Sequence, residues 1–348
     1  STFDVFEGVY DGPNFQAGTP PYASEGGQIE VEPATGDPVL VRMEPLRFAV
    51  SIPTGAKPQE GWPVVLYAHG TGGDYVSFVG DGTAVRMAGE GLAVLSIDQV
   101  LHGPRDPSGG SPDLTFFNFQ NPVAGRDNVR QGAVDGFQLV RLVDPLEIDG
   151  QGQVLDGGRL SFMGHSQGGL TGMPFLAYEP RIAGAVLSGT AGLIYLTLLH
   201  KTEPFDLPAL VATLLDDPQL DEFNNLLALV QLFIEPADPV TYGPLLVREP
   251  PADGAAKDVF LSEGLTDHFA PSVGIEAVGV AVGVAPVTPI LALVEGLELR
   301  GMEAVEPPVS GNLAGHTAVL VQYPGGEEGH FVVFADPRAK RQHADFLG

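Results

Sequence analysis

Apolar residues along this chain fall into short unbroken runs separated by turns rich in Gly, Pro and acidic residues. The runs at 63–68 (PVVLYA), 92–98 (LAVLSID), 160–165 (LSFMGH), 182–188 (IAGAVLS), 259–264 (VFLSEG) and 317–323 (TAVLVQY) are too short for core helices. They also lack polar alternation, which predicts strands buried on both faces of a parallel sheet. Residues 46–53 alternate in part and end at Pro53-Thr54-Gly55, a strand followed by a turn. Between the runs, 84–91, 126–143 and 170–178 read as helices. In the second of these, Val129, Ala133, Phe137, Leu139, Val140, Leu142 and Val143 fit one face. Residues 336–347 close the chain as a further helix. This strand–helix alternation predicts an α/β fold with a mostly parallel, doubly wound sheet and right-handed crossovers.

The alternation is interrupted in two places. Residues 1–45 carry few apolar periods and predict an N-terminal extension, largely irregular with one or two edge strands, packing on the core. Residues 192–250 carry Leu-rich amphipathic stretches at 193–199, 207–215 and 223–233, which predict a helical cap, or else a further helical packing layer, inserted into a core made of 46–191 and 251–348. The apolar run at 277–294 has the length of a membrane span, but Pro286, Pro289 and acidic flanks make it a buried helix and turn. Asp149, Gln151, Gln153 and Asp156 occupy a Gly-rich turn. Lacking the Gly and Glu that complete a calcium loop, it reads as a solvated turn.

Candidate chemistry gathers where strands end. Gly164-His165-Ser166-Gln167-Gly168 joins a strand to a helix, the form of a nucleophile elbow that holds a serine hydroxyl out at the sheet edge. The amide of Gln167 opens the helix, where N–H groups are free and the dipole favours an anion. A serine nucleophile needs a base, and the base needs a carboxylate to fix its tautomer. Asp267 follows the strand at 259–264 and His330 follows the last strand, so both fall at the same sheet edge as Ser166. Glu263, inside a strand, and Glu295, in a helical stretch, are weaker acids for this role. His316 precedes its strand, His343 sits in the terminal helix, and Asp98 and His102 precede the serine, which marks them as structural. Early in the chain, His69-Gly70-Thr71-Gly72-Gly73 follows a buried strand and can turn several amides to one point. Neither a dinucleotide fingerprint nor a P-loop is present there, which disfavours phosphate binding.

Composition narrows the function classes. There is no cysteine, so disulfides, thiolate metal sites and cysteine catalysis are excluded. Seventeen basic against 44 acidic residues give a net charge of −27, which opposes binding to nucleic acid or anionic membrane and suits a salty medium. The chain begins at Ser1 without a signal-peptide pattern, the expectation for a mature secreted, periplasmic or cell-surface form.

The loop at 69–73, the elbow at 164–168 and the order Ser166, Asp267, His330 together resemble the α/β-hydrolase family over about residues 46–348. Phe117-Asn118-Phe119, the stretch Arg126–Gln131 and the Leu-rich insert further resemble bacterial secreted lipases of the virulence-factor type. The resemblance implies an α/β-hydrolase fold with a helical cap and a Ser166–His330–Asp267 triad. It also implies an oxyanion hole from Gln167 with Thr71 or Gly72, and substrate contacts at His69, Gly70, His165, Phe117 and Phe119. The implied activity is that of a carboxylesterase or lipase on small, lipid or polyester esters, without cofactor or metal and without stable membrane insertion. A serine peptidase or amidase of the same fold, or a non-catalytic binding protein that has kept it, are the other expectations.

Overall fold

The computed structural model describes residues 2–348 except Asp149 and Gln151, so the Gly-rich turn at 149–156 lies partly outside the described residues. The chain forms two compact units, residues 1–162 with Gly348, and residues 163–347.

The first unit carries β1 (Phe3–Asn14), β2 (Arg42–Pro53), β3 (Trp62–Ala68), β4 (Ala93–Ile97) and most of β5 (Leu155–His165), in the spatial order β1-β2-β4-β3-β5. The 1–45 segment supplies the edge: β1 pairs antiparallel with β2 over twelve residues, from Phe3 opposite Pro53 to Asn14 opposite Arg42. Burial explains the weak sequence signal of β1, whose first nine residues are all half-buried or exposed. β2 then runs antiparallel to β4, and β4 parallel to β3. β4 is buried at every position, the consequence of its unbroken apolar run. The long helix Pro122–Val143 starts four residues ahead of the expected 126, because Asn121 accepts a hydrogen bond from the Ala124 amide and Pro122 opens the first turn.

The second unit carries β6 (Ile182–Ser188), β7 (Asp258–Gly264), β8 (Ala285–Pro286) and β9 (Ala318–Tyr323), in the order β6-β7-β9-β8, each paired parallel with its neighbour. The apolar run at 277–294 resolves into the helix Ser272–Val282, closed by Gly283 at φ 84°, and then the two-residue β8, a strand the hydropathy pattern did not announce. Within 192–250 stand the helices Ile194–His200, Leu207–Leu214 and Asn225–Ile234, and a fourth, Pro239–Val247, not read from the sequence. The first three share a small core of Leu198, Leu207 and Leu227. The root of the insertion is held by Asp238, fully buried. Its carboxylate accepts from the amides of Leu193, Ile194 and Val240 and from Gln231 Nε2, at 2.9–3.0 Å. No helix among the described residues is long and apolar enough to cross a membrane.

Candidate active site

Ser166 stands between β5 and the helix Gln167–Tyr178 with φ 55° and ψ −120°, a conformation that a residue with a Cβ adopts only when its surroundings enforce it. Three bonds do so. The Ser166 amide donates to Ser188 O at 2.8 Å, and the Ser166 carbonyl accepts from the amides of Gly169 and Leu170. The helix can approach β6 because residue 169 is glycine; a Cβ there would overlap the Thr190 hydroxyl.

The residues expected as acid and base, Asp267 and His330, come from the loops after β7 and β9. His330 Nδ1 donates to Asp267 Oδ2 at 2.8 Å, with both side chains almost wholly buried. An ionised carboxylate can only accept, so the ring proton sits on Nδ1 and Nε2 is left as the basic nitrogen. Asp267 Oδ1 accepts from the amides of Phe269 and Ala270 at 2.9 and 2.7 Å, which fixes the carboxylate. The Phe269 ring stacks on His330 with centroids 5.0 Å apart, and Phe331 packs against it edge-on at 5.0 Å. Two glycines let the loops meet, since a Cβ on Gly264 would overlap the Gly329 carbonyl. The Gly329 amide donates to Thr266 O at 3.0 Å.

A residue that sequence reasoning missed joins the same two loops. Glu328 Oε1 accepts from the His330 amide at 2.7 Å, while its Oε2 lies 3.2 Å from His268 Nδ1. Gly189 was missed as well. A Cβ there would stand 2.8 Å from His330 Cε1 and 3.5 Å from Asp267 Oδ2. Since Ser188 also receives the Ser166 amide, the turn 188–189 holds elbow and dyad side by side. The insertion reaches this place too: the amides of Thr202 and Glu203 donate to His268 O, and Lys201 Nζ donates to Phe269 O at 2.9 Å.

The structure alters several of the expected contacts. His165 does not line a surface. It is 3% exposed, and its ring lies 4.6 Å from that of His330 and 4.8 Å from that of Phe334. Burial holds its pKa well down, so it is a neutral packing surface behind the base. Glu263 pairs with Gln322 rather than with a histidine.

In the first unit, His69 is fully buried and its pKa is pushed down to about 3, first by burial and then by His102. Its Nδ1 donates to Gly70 O and its Nε2 accepts from the Gln99 amide, so it shapes the loop and offers substrate no free nitrogen. The Gly72 amide donates to His102 Nε2 at 3.0 Å and the Gly73 amide to Gly70 O, which engages both donors inside the loop. His102 therefore has a structural task, as has Asp98, which binds Arg47 at 2.6 and 3.0 Å. Phe117 is half-buried and Phe119 is 43% exposed. No group of side chains among the described residues is arranged to hold a metal ion.

The sequence matches no protein-family model and no curated protein. Solved structures do resemble it. An acetyl xylan esterase from Paenibacillus sp. R4 superposes with a TM-score of 0.57 at 16% identity, over 99% of this chain and 84% of that one. Acetyl xylan esterase 1 from Thermoanaerobacterium sp. JW/SL YS485 gives 0.51 at 15% identity, over 89% and 81%. The acylaminoacyl peptidase of Pyrococcus horikoshii also gives 0.51, at 12% identity, over all of this chain but 40% of that one. With their mostly parallel strands and flanking helices, these likenesses establish that the chain has the α/β-hydrolase fold.

Proposed function

We propose that the protein is a serine hydrolase of carboxylic esters, with Ser166 as nucleophile, His330 as general base and acid, and Asp267 as the carboxylate that orients the base. The observation that carries this reading is the buried 2.8 Å bond from His330 Nδ1 to Asp267 Oδ2 beside a serine held at φ 55°. In that arrangement His330 Nε2 takes the Ser166 proton as the hydroxyl attacks the ester carbonyl. It returns the proton to the leaving alcohol, and water then hydrolyses the acyl-enzyme. Asp267 supports the imidazolium that forms in between. The Gln167 amide, at the head of its helix, is the proposed oxyanion donor on this side, a contribution of about 3 kcal/mol to the transition state.

The insertion favours esters with an apolar acyl part, in keeping with the lipase-like features of the sequence. Its helices expose Leu214, Leu229 and Leu232 at 60–70%, and the turn before Asn225–Ile234 exposes Phe223 at 81%. Exposed leucines on one small subdomain are a contact surface in search of an apolar partner.

The test is a panel of p-nitrophenyl esters of rising chain length, beside peptide amides, applied to the protein and to Ser166→Ala. The wild type is expected to hydrolyse the esters and take a fluorophosphonate label. Ser166→Ala should lose on the order of 10⁴-fold or more in kcat while staying folded. Wild-type turnover by Ser166→Ala sinks the assignment of the nucleophile. Cleavage of the amides in preference to the esters replaces esterase by amidase.

A further inference from the structure

Behind the dyad lies a second set of carboxyl groups. Glu263 is the penultimate residue of β7, fully buried, and it faces Gln322 of β9 in register. Gln322 Nε2 donates to Glu263 Oε2 at 3.0 Å, while Gln322 Oε1 accepts from the amides of Leu291 and Ala292, each at 3.0 Å. The bond therefore ties together the two strands whose loops carry Asp267 and His330. The next residue along, Gly264, accepts the Asp267 amide at 3.1 Å and abuts Gly329.

Glu263 Oε1 is left without an N–H partner. The groups that face this carboxyl are the Ser272 hydroxyl and the Glu276 carboxyl, both on the helix Ser272–Val282, with Asp267 contributing charge from the loop. Glu276 in turn meets Glu263 and, more remotely, Glu295. Among these groups no Lys or Arg balances the charge. Two ionised carboxylates cannot share such a place, and one proton between them both removes the repulsion and supplies the missing donor.

We propose that Glu263 and Glu276 hold one proton between them, and that this protonated pair positions the Asp267–His330 dyad by keeping the ends of β7 and β9 together. The proposal rests on the hydrolase reading above. Burial, then the charge of Glu263, raises the pKa of Glu276 to about 7, so the proton is present in mild acid and leaves as the medium becomes alkaline. With both carboxyls ionised, Glu263 repels Glu276 and Asp267, and the root of the two loops loosens. Glu276→Gln keeps a hydrogen-bond donor in place at every pH.

The experiment measures kcat/KM for p-nitrophenyl acetate against pH in the wild type and in Glu276→Gln, with Glu263→Gln as a second variant. In parallel, infrared difference spectra follow the protonated-carboxyl band in Ser166→Ala and in the Ser166→Ala/Glu276→Gln double variant. The rate of Glu276→Gln relative to wild type should rise on the order of tenfold between about pH 6 and about pH 9, the size of a positioning loss. The carboxyl band should titrate in Ser166→Ala and be missing from the double variant. Absence of a titrating band overturns the shared proton. A band that titrates while the rate ratio stays flat overturns the positioning role. Because the spectra are read without turnover, they stand even if Ser166→Ala retains activity and the hydrolase reading falls.

Discussion

At the scale of residues, the candidates Ser166, Asp267 and His330 could be named because each sits at a place the chain marks locally: a Gly-x-Ser-x-Gly turn, and loops that end buried apolar runs. The groups that hold them were not. Gln322 and Glu263 are 59 residues apart in sequence, and Glu328 and His268 are 60 apart. No periodicity or motif links such pairs, and only the parallel register of β7 and β9 makes them neighbours. Glu276 gives a stability prediction at this scale. Its pKa of about 7 in the folded protein lies above the ordinary value of 4.5, so the folded state keeps a proton that the unfolded chain has released. The stabilisation is complete below about pH 4.5 and is lost as pH rises through about 7. Since the side chain is partly exposed, the loss is on the order of 1 kcal/mol after screening. Urea unfolding at several pH values should show wild-type stability falling over that window and Glu276→Gln staying flat. A parallel decline in both proteins contradicts the assignment.

At the scale of elements, strands buried on both faces announced themselves, and those that were missed have physical reasons. β1 is an edge strand whose outer face is wet, so its pattern is mixed. β8 is two residues long and ends in a proline, within an apolar run that the preceding helix dominates. Helix Pro239–Val247 opens with Asp238 and Pro239, a clear start signal, but Gly243 and Pro244 in its middle mask the period. The insertion helices were readable from their leucines, while the side they leave uncovered was not. Replacing Leu214, Leu229 and Leu232 together by Ser should leave hydrolysis of a short, soluble ester within about twofold. The same change should raise KM on a dispersed long-chain ester by roughly tenfold or more, since each exposed leucine withdrawn from contact forfeits about 1 kcal/mol or more. Equal effects on both substrates argue against a role of these helices in receiving acyl chains.

At the scale of the whole molecule, 44 acidic residues against 17 basic ones set a background of self-repulsion that every local interaction works against. Ion pairs relieve little of it, although Arg105 binds both Glu44 and Asp135 within the first unit at 2.6 and 2.7 Å. Screening relieves more. The thermal midpoint should rise as sodium chloride is raised from about 0.1 M, where the Debye length is about 10 Å, to about 1 M, where it is about 3 Å. A midpoint that stays level or falls removes charge repulsion as a controlling term. The tethers from Lys201, Thr202 and Glu203 to the His268–Phe269 backbone have a consequence of a different kind. They tie the Leu-rich helices to the loop that carries Asp267, so a displacement of those helices pulls on the carbonyls of His268 and Phe269 that follow it. A load placed on those leucines is carried into the backbone beside Asp267, along a strut built of one lysine side chain and two amides.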